Sequence, residues 1–205
     1  MFLYGASGHC KVVIDAIESS SNNTIEAIFD DNPKSDFISG IPVTIASSKL
    51  LQKSKNFIVS IGNNTLRKKI VKNLNTNYVT VIHSKATIAK TVEIGMGTVV
   101  FAGAIINTDA KIGMHCIVNS GVVIEHDCEI GNYVHVSPNA SLAGNVKVGE
   151  GTHIGIGSTV IQGIKIGKWV TVGAGTVIIK DIPDYAVVVG NPGKIIKYNE
   201  IDSDV

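Results

Sequence analysis

Six histidines stand at 9, 83, 115, 126, 135 and 153, and their neighbours tell them apart. His126 lies in Ile124-Glu125-His126-Asp127-Cys128, with a carboxylate on either side. An imidazole whose reference pKa is about 6.5 can take a proton at neutrality, and an adjacent carboxylate fixes which ring nitrogen carries the hydrogen. His126 is therefore the candidate general base, with Asp127 as the group that orients it. A plain surface histidine is the competing reading. His135 and His153 are 18 residues apart, a spacing that could stack them as a metal pair, but no third ligand shares their register and no metal is expected. Cys10, Cys116 and Cys128 form no CxxC pair and suit buried thiols in a reducing compartment.

A second constellation lies in the first 80 residues. Gly5-Ala6-Ser7-Gly8, Asp30-Asp31 and Gly62-Asn63 each follow a short apolar run. A glycine loop that opens a helix can approach an anion, and an acidic pair can accept hydrogen bonds from a ribose or a base. The loop departs from GxGxxG, since Ser7 replaces the second glycine. Read by itself it is a weak dinucleotide motif, and a tight turn with solvated carboxylates is the stronger reading.

The elements that must hold these residues come in two kinds. From Ile82 to Ile178, every sixth residue is aliphatic, 17 positions without an insertion. Four residues after each of the first ten comes a small or β-branched residue, from Ala86 to Ala140. Gly95, Gly113, Gly131, Gly149 and Gly167 recur every 18 residues, three hexads apart. Eighteen residues per coil in three flat faces is a triangular parallel β-solenoid, with the aliphatic residue inward and glycine at a tight turn. Residues 82–183 supply between five and six coils. His126 is the third residue of its hexad, a phase that points away from the core.

Residues 1–81 read differently. Met1–Tyr4 is a strand; a helix from about Gly8 to Ser19 carries Val12, Val13, Ala16 and Ile17 on its apolar side. Strands follow at Ile25–Phe29 and Phe57–Ile61, with a helix near Ser48 between them. A further helix, capped by Asn64 or Thr65, runs to about Leu74. Alternating strands and helices imply a small Rossmann-like parallel sheet whose carboxyl ends form a ligand crevice. The last segment, 184–205, is a C-terminal tail.

Composition bounds the function. Lys+Arg 18 against Asp+Glu 17 offers no basic surface for nucleic acid. No apolar run approaches the roughly 18 residues of a membrane span, and the start lacks a secretory leader's pattern. The expected location is the cytoplasm.

An α/β module with GxSGH, Phe-Asp-Asp and Ile-Gly-Asn-Asn-x-x-Arg-Lys, joined to hexapeptide repeats and ending in Gly190-Asn191-Pro192, resembles the nucleotide-sugar N-acetyltransferases of bacterial glycan synthesis. Sialic-acid O-acetyltransferase-like proteins share the plan. The resemblance implies a left-handed β-helix, a homotrimer, acetyl-CoA as co-substrate and a 4-amino-4,6-dideoxy sugar on a nucleotide as acceptor. It makes His126 the catalytic base, although the family commonly has His-Glu where this chain has His126-Asp127. It assigns His135, Ala143, Gly144, Gly155, Gly173, Ala174 and Lys194 to acetyl-CoA, with Gly144 N–H as an oxyanion donor. It gives Gly5, Ser7, Gly8, Asp30, Asp31, Gly62 and Asn63 to the nucleotide sugar. An O-acetyltransferase and a non-catalytic scaffold are the alternatives.

Overall fold

The computed structural model describes residues 1–20, 24–46 and 56–200; the helix expected near Ser48 falls outside them. Strands β1 (Phe2–Tyr4), β2 (Ala27–Asp30), β3 (Phe37–Ile38), β4 (Ile41–Ile45) and β5 (Phe57–Val59) form one sheet in the order β3-β4-β2-β1-β5. It is parallel except where β3 turns back on β4. Helix α1 (Gly8–Ser20) buries Cys10, Val13, Ile14, Ala16 and Ile17. Val12, expected on the apolar side, is exposed, because the buried stripe is centred a turn-step away, on Ile14 and Ile17. Helix α2 (Asn64–Asn73) is capped one residue earlier than the sequence suggested, by Asn63, whose side chain accepts from Leu66 N at 2.9 Å.

From Val81–Ile82 to Val177–Ile178, two-residue strands repeat every six residues and pair in parallel with those 18 residues away. They form three faces. The first runs through strands at 81, 99, 117, 135, 153 and 171, the second through 87 to 177, and the third through 93 to 165. Of the 17 aliphatic positions, those from Val100 onward are at most 4% exposed, a continuous column of inward side chains. Ile82, Ile88 and Ile94 are half-buried, since the first coil has nothing above it. Beyond 183 the chain rejoins the first face: Ala186–Val189 pairs with Thr171–Val172, and Lys194–Tyr198 folds back antiparallel to it.

The column from Gly95 to Gly167 does not supply left-handed turns. A Cβ on Gly95 would lie 2.6 Å from the Gly113 carbonyl carbon and one on Gly149 2.6 Å from that of Gly167, so glycine permits coil-to-coil approach. The left-handed conformation falls two residues later, at Gly97, His115, Tyr133, Gly151 and Trp169.

The α/β module lies on the first face. Val13 and Ile17 of α1 share one buried cluster with Val81, Val99, Phe101 and Ile117 of the solenoid.

Candidate active site

His126 occupies the corner between the second and third faces, in the turn after strand Val123–Ile124. Its side chain is 57% exposed, and Nδ1 lies 2.8 Å from Asp127 Oδ2. An ionised carboxylate only accepts, so Nδ1 carries the hydrogen and the Nε2 lone pair is left for a proton. The local backbone makes this possible. Asp127 sits at φ +60°, a left-handed conformation that Asp tolerates better than most residues and that lets its carboxylate reach the preceding ring. The hydrogen bond to Asp127 raises the His126 pKa above the ordinary imidazole value, with the charges of Asp127 and Glu125 adding to it.

One coil further on, Gly144 packs against the same ring. A Cβ there would lie 2.6 Å from His126 Cε1 and 2.7 Å from Nε2. The neighbouring amides are engaged, Ala143 N with Val160 O and Asn145 N with His126 O, while Gly144 N–H donates to no group among the described residues. A free lone pair on the exposed His126 ring and the unbonded N–H of the buried Gly144 therefore meet at one corner. That pairing suits removal of a proton from a nucleophile and stabilisation of charge on an acyl oxygen.

The other residues assigned to the acyl donor lie elsewhere on this chain. Gly155, Gly173 and Ala174 fall at the corner between the first and second faces, beyond strands His153–Ile154 and Thr171–Val172. Gly155 is held against the next coil, where a Cβ would meet Val172 O at 2.5 Å. Lys194 is exposed at the start of the last strand. His135 projects from the first face, beneath the α/β module, and not at the His126 corner.

At the strand ends of the module, Gly5 holds φ +108° with Ile61 so close that a Cβ would lie 2.5 Å from it; glycine is required. Asp30 shapes the loop: Oδ2 accepts from Ala6 N at 2.7 Å and Oδ1 from Asn32 N at 2.9 Å. Asp31 accepts from the Tyr4 hydroxyl at 2.6 Å through one oxygen and keeps the other open. A crevice of about 580 Å³ lies here, with Ser7, Gly8 and Asp30 in its lining.

Gly62 and Asn63 face a separate cleft of about 550 Å³ between the module and the first face, shared with His135, His153, Trp169 and Tyr185. Its floor is the seam that sequence reasoning missed. Arg67 is 1% exposed and donates from every arm: Nε to His115 O at 2.8 Å, Nη1 to Ile61 O and Gly62 O, Nη2 to Asn64 Oδ1 and Tyr133 O at 2.8 Å each. It bridges both modules without a carboxylate. Lys68 adds an ion pair to Glu150. The Arg-Lys dipeptide was visible in the motif, but helix periodicity gives no sign that its arginine is buried.

Arg67 stands among imidazoles. Asn119 Oδ1 accepts from Ser120 N, so its Nδ2 donates to His135 Nε2 at 3.1 Å, while His135 also bonds the Gly62 carbonyl. Both ring nitrogens are spent. Desolvation, with His153, Arg67 and His9 nearby, pushes the His135 pKa down to about 3. Desolvation and then Arg67 bring His9 and His115 to about 4. His153 stacks on His135 at 4.9 Å and 12° and bonds Ser137 Oγ at 2.7 Å. Among the described residues no group of three or more His, Cys, Asp or Glu could hold a metal ion. The thiols of Cys10, Cys116 and Cys128 are buried and raised in pKa by desolvation, which suits packing and not nucleophilic chemistry.

This geometry has known counterparts. Residues 1–74 match the family model described as PglD N-terminal domain, and 109–144 and 145–180 match that of the bacterial transferase hexapeptide. A UDP-N-acetylbacillosamine N-acetyltransferase of Bacillus subtilis is 41% identical over 101 residues, covering 45% of this chain and 47% of that protein. The match thus spans about half the length of that relative. PerB of Caulobacter crescentus, solved with CoA and GDP-perosamine, is 37% identical with a TM-score of 0.89 over 96% of both chains. The acetyltransferase domain of Neisseria gonorrhoeae PglB, solved with acetyl coenzyme A, is 35% identical with a TM-score of 0.89, covering 95% of this chain and 98% of that one.

The fold and these matches together define a hexapeptide-repeat acyltransferase with a left-handed β-helix. Within that class the chain belongs to the nucleotide-sugar N-acetyltransferases.

Proposed function

We propose that this protein transfers the acetyl group of acetyl-CoA to the 4-amino group of a nucleotide-linked 4-amino-4,6-dideoxy sugar. The observation that carries the reading is the exposed His126 imidazole, with Nδ1 held by Asp127 and Nε2 open beside the free N–H of Gly144. Acetyl-CoA supplies an activated acyl carbon. An amine is a competent nucleophile once it loses a proton, so no acyl-enzyme is needed. As the amine nitrogen bonds to the thioester carbon, its proton passes to His126 Nε2, and Gly144 N–H donates to the acyl oxygen as negative charge develops there. The C–S bond then breaks, and the proton held by His126 can pass to the departing sulfur.

The donor residues favour a homotrimer. Ala143 and Gly144 lie at one edge of the second face, and Gly155, Gly173 and Ala174 at the other. No single chain brings the two edges together. Side-by-side packing sets one copy's 143–144 corner against its neighbour's 155–174 corner, and three copies close the ring. Lys194 would then lie further along the groove of the neighbouring copy, and His135 would reach the donor only by releasing its bonds to Gly62 and Asn119. The α/β module holds the nucleotide through Gly5, Ser7, Gly8, Asp30 and Asp31, with Asp30 acting by shaping the loop, while Gly62 and Asn63 are assigned to the sugar end from their separate cleft. Three unpaired cysteines suit work in the reducing cytoplasm. No described helix is long and apolar enough to cross a membrane.

The test is a panel of UDP-, dTDP- and GDP-linked 4-amino sugars with acetyl-CoA, read by thiol release and product mass. One acceptor should gain an acetyl group on nitrogen with one thiol released per turnover. Acetylation confined to hydroxyl acceptors, or no thiol release from any, contradicts the proposal.

A further inference from the structure

The crevice at the ends of β1 and β2 has a wall that the glycine loop and acidic pair do not account for. β3 and β4 form a tight hairpin, with Phe37 opposite Pro42 and Ile38 opposite Ile41. Its two turn residues, Ser39 at φ +50° and Gly40 at φ +78°, are both left-handed, as a two-residue hairpin turn of this kind requires. Strand side chains alternate between faces, and Ile38 is 9% exposed in the module core, so Phe37 must point outward. It is 61% exposed, on the crevice lining. Ser35 Oγ donates to Phe37 O at 2.9 Å and Val43 N to Asp36 O at 2.8 Å, which fixes this backbone. An aromatic ring on a fixed backbone therefore faces water in the lining of a polar crevice, where folding alone gains little from it.

Two cations share the lining. Lys11 comes from the start of α1 and Lys34 from the β2–β3 connection, and neither has an ion-pair partner among the described residues. The amides of Ser7, Gly8 and His9 at the opening of α1 also donate to no described group. Asp30, at the end of β2, and Asn32, just beyond it, line the same crevice as Phe37. Anion donors, polar acceptors and an aromatic plane thus share one crevice, and these are the groups that a diphosphate, a ribose and a base need.

We propose that Phe37 is the stacking platform for the nucleotide base of the acceptor, and that Lys11 and Lys34 hold its diphosphate. This deepens the reading of the α/β module as the nucleotide-holding part and depends on it. A stacked base is held by its flat face, which every base has, so the platform provides affinity while the polar rim at Asn32 and Ser39 discriminates between bases.

Calorimetric titration of the intact protein with UDP, dTDP and GDP tests this directly. The nucleotide that binds the parent protein should bind Phe37→Ala roughly 5- to 150-fold more weakly, the range of base–aromatic stacking. Phe37→Trp should bind close to the parent. Lys11→Ala with Lys34→Ala should weaken the diphosphate and flatten the dependence of its affinity on salt. Acetyl-CoA KM should be the parent's in every variant. Parent affinity in Phe37→Ala, with acetylation intact, overturns the platform and leaves the acetyltransferase reading standing. No nucleotide binding and no turnover in the parent protein overturn both.

Discussion

At the corner between the second and third faces, His126 stands in solvent with one nitrogen held by a carboxylate and the other free. At the seam beneath the α/β module, His135 has both nitrogens engaged by Gly62 and Asn119, and Arg67 lies nearby in place of an acid. The same side chain is thus made more basic in one place and less basic in the other. A carboxylate neighbour with water around it favours the imidazolium; burial beside a guanidinium forbids it. A proton acceptor belongs at the first kind of site. The second kind cements two modules with neutral groups around one buried guanidinium whose N–H arms are all satisfied.

Removing the ring at each place should separate the roles, and the largest effect is expected at the corner. His126→Ala should lower kcat by roughly 10²–10⁴ while acetyl-CoA KM stays near the parent value. His153→Ala, one of the seam residues, should lose far less rate. Near-native turnover by a folded His126→Ala protein would remove the base from the account.

The seam should respond in stability. Arg67→Met leaves the carbonyls of Ile61, His115 and Tyr133 without their donor, and urea unfolding should show a loss of about 3 kcal/mol. Arg67→Lys should recover only part of it, because an ammonium cannot fork to both modules at once. Parent stability in Arg67→Met would mean the modules are joined by apolar packing alone.

A smaller effect sharpens the corner. Asp127→Asn keeps the shape but removes the charge that raises His126, so kcat should fall by roughly 10- to 100-fold, within the span of general-base effects. The acid limb of kcat that His126 contributes should move to lower pH, since a less basic ring stays deprotonated further down. A limb that does not move would place the orienting group elsewhere.

The mildest prediction concerns acid. The histidines at 9 and 115 are held near pKa 4 and that at 135 near 3, against about 6.5 in the unfolded chain. Below pH 6.5 the unfolded chain takes up protons that the folded one refuses, so this stabilisation is complete above 6.5 and is lost as pH falls toward 4 and 3. Thermal midpoints should drop between pH 7 and 5, and a flat midpoint over that interval would contradict the neutral seam.

The solenoid was legible because each two-residue strand makes one inward choice, repeated at fixed spacing, and each wrong residue would be buried without a partner. His126 was legible for the same reason: its hexad phase excludes it from the core. The seam was not. Nothing local marks Arg67 as buried, because its five bonds reach two carbonyls beyond its own module, His115 O and Tyr133 O. His135 likewise fits its hexad phase, and only the docked module decides that its ring meets Gly62. The β3–β4 hairpin escaped since one of its strands is only Phe37–Ile38 and the other carries Pro42. Short strands paired through a turn of Ser39 and Gly40 leave little periodicity to read.

The contrast between corner and seam can be measured in one sample, by following the imidazole ring resonances of the native protein from pH 8 to pH 5. The account predicts that His126 titrates above the ordinary imidazole midpoint with its hydrogen on Nδ1, while His9, His115 and His135 remain neutral throughout. A seam histidine that gains its proton before His126 does would contradict it.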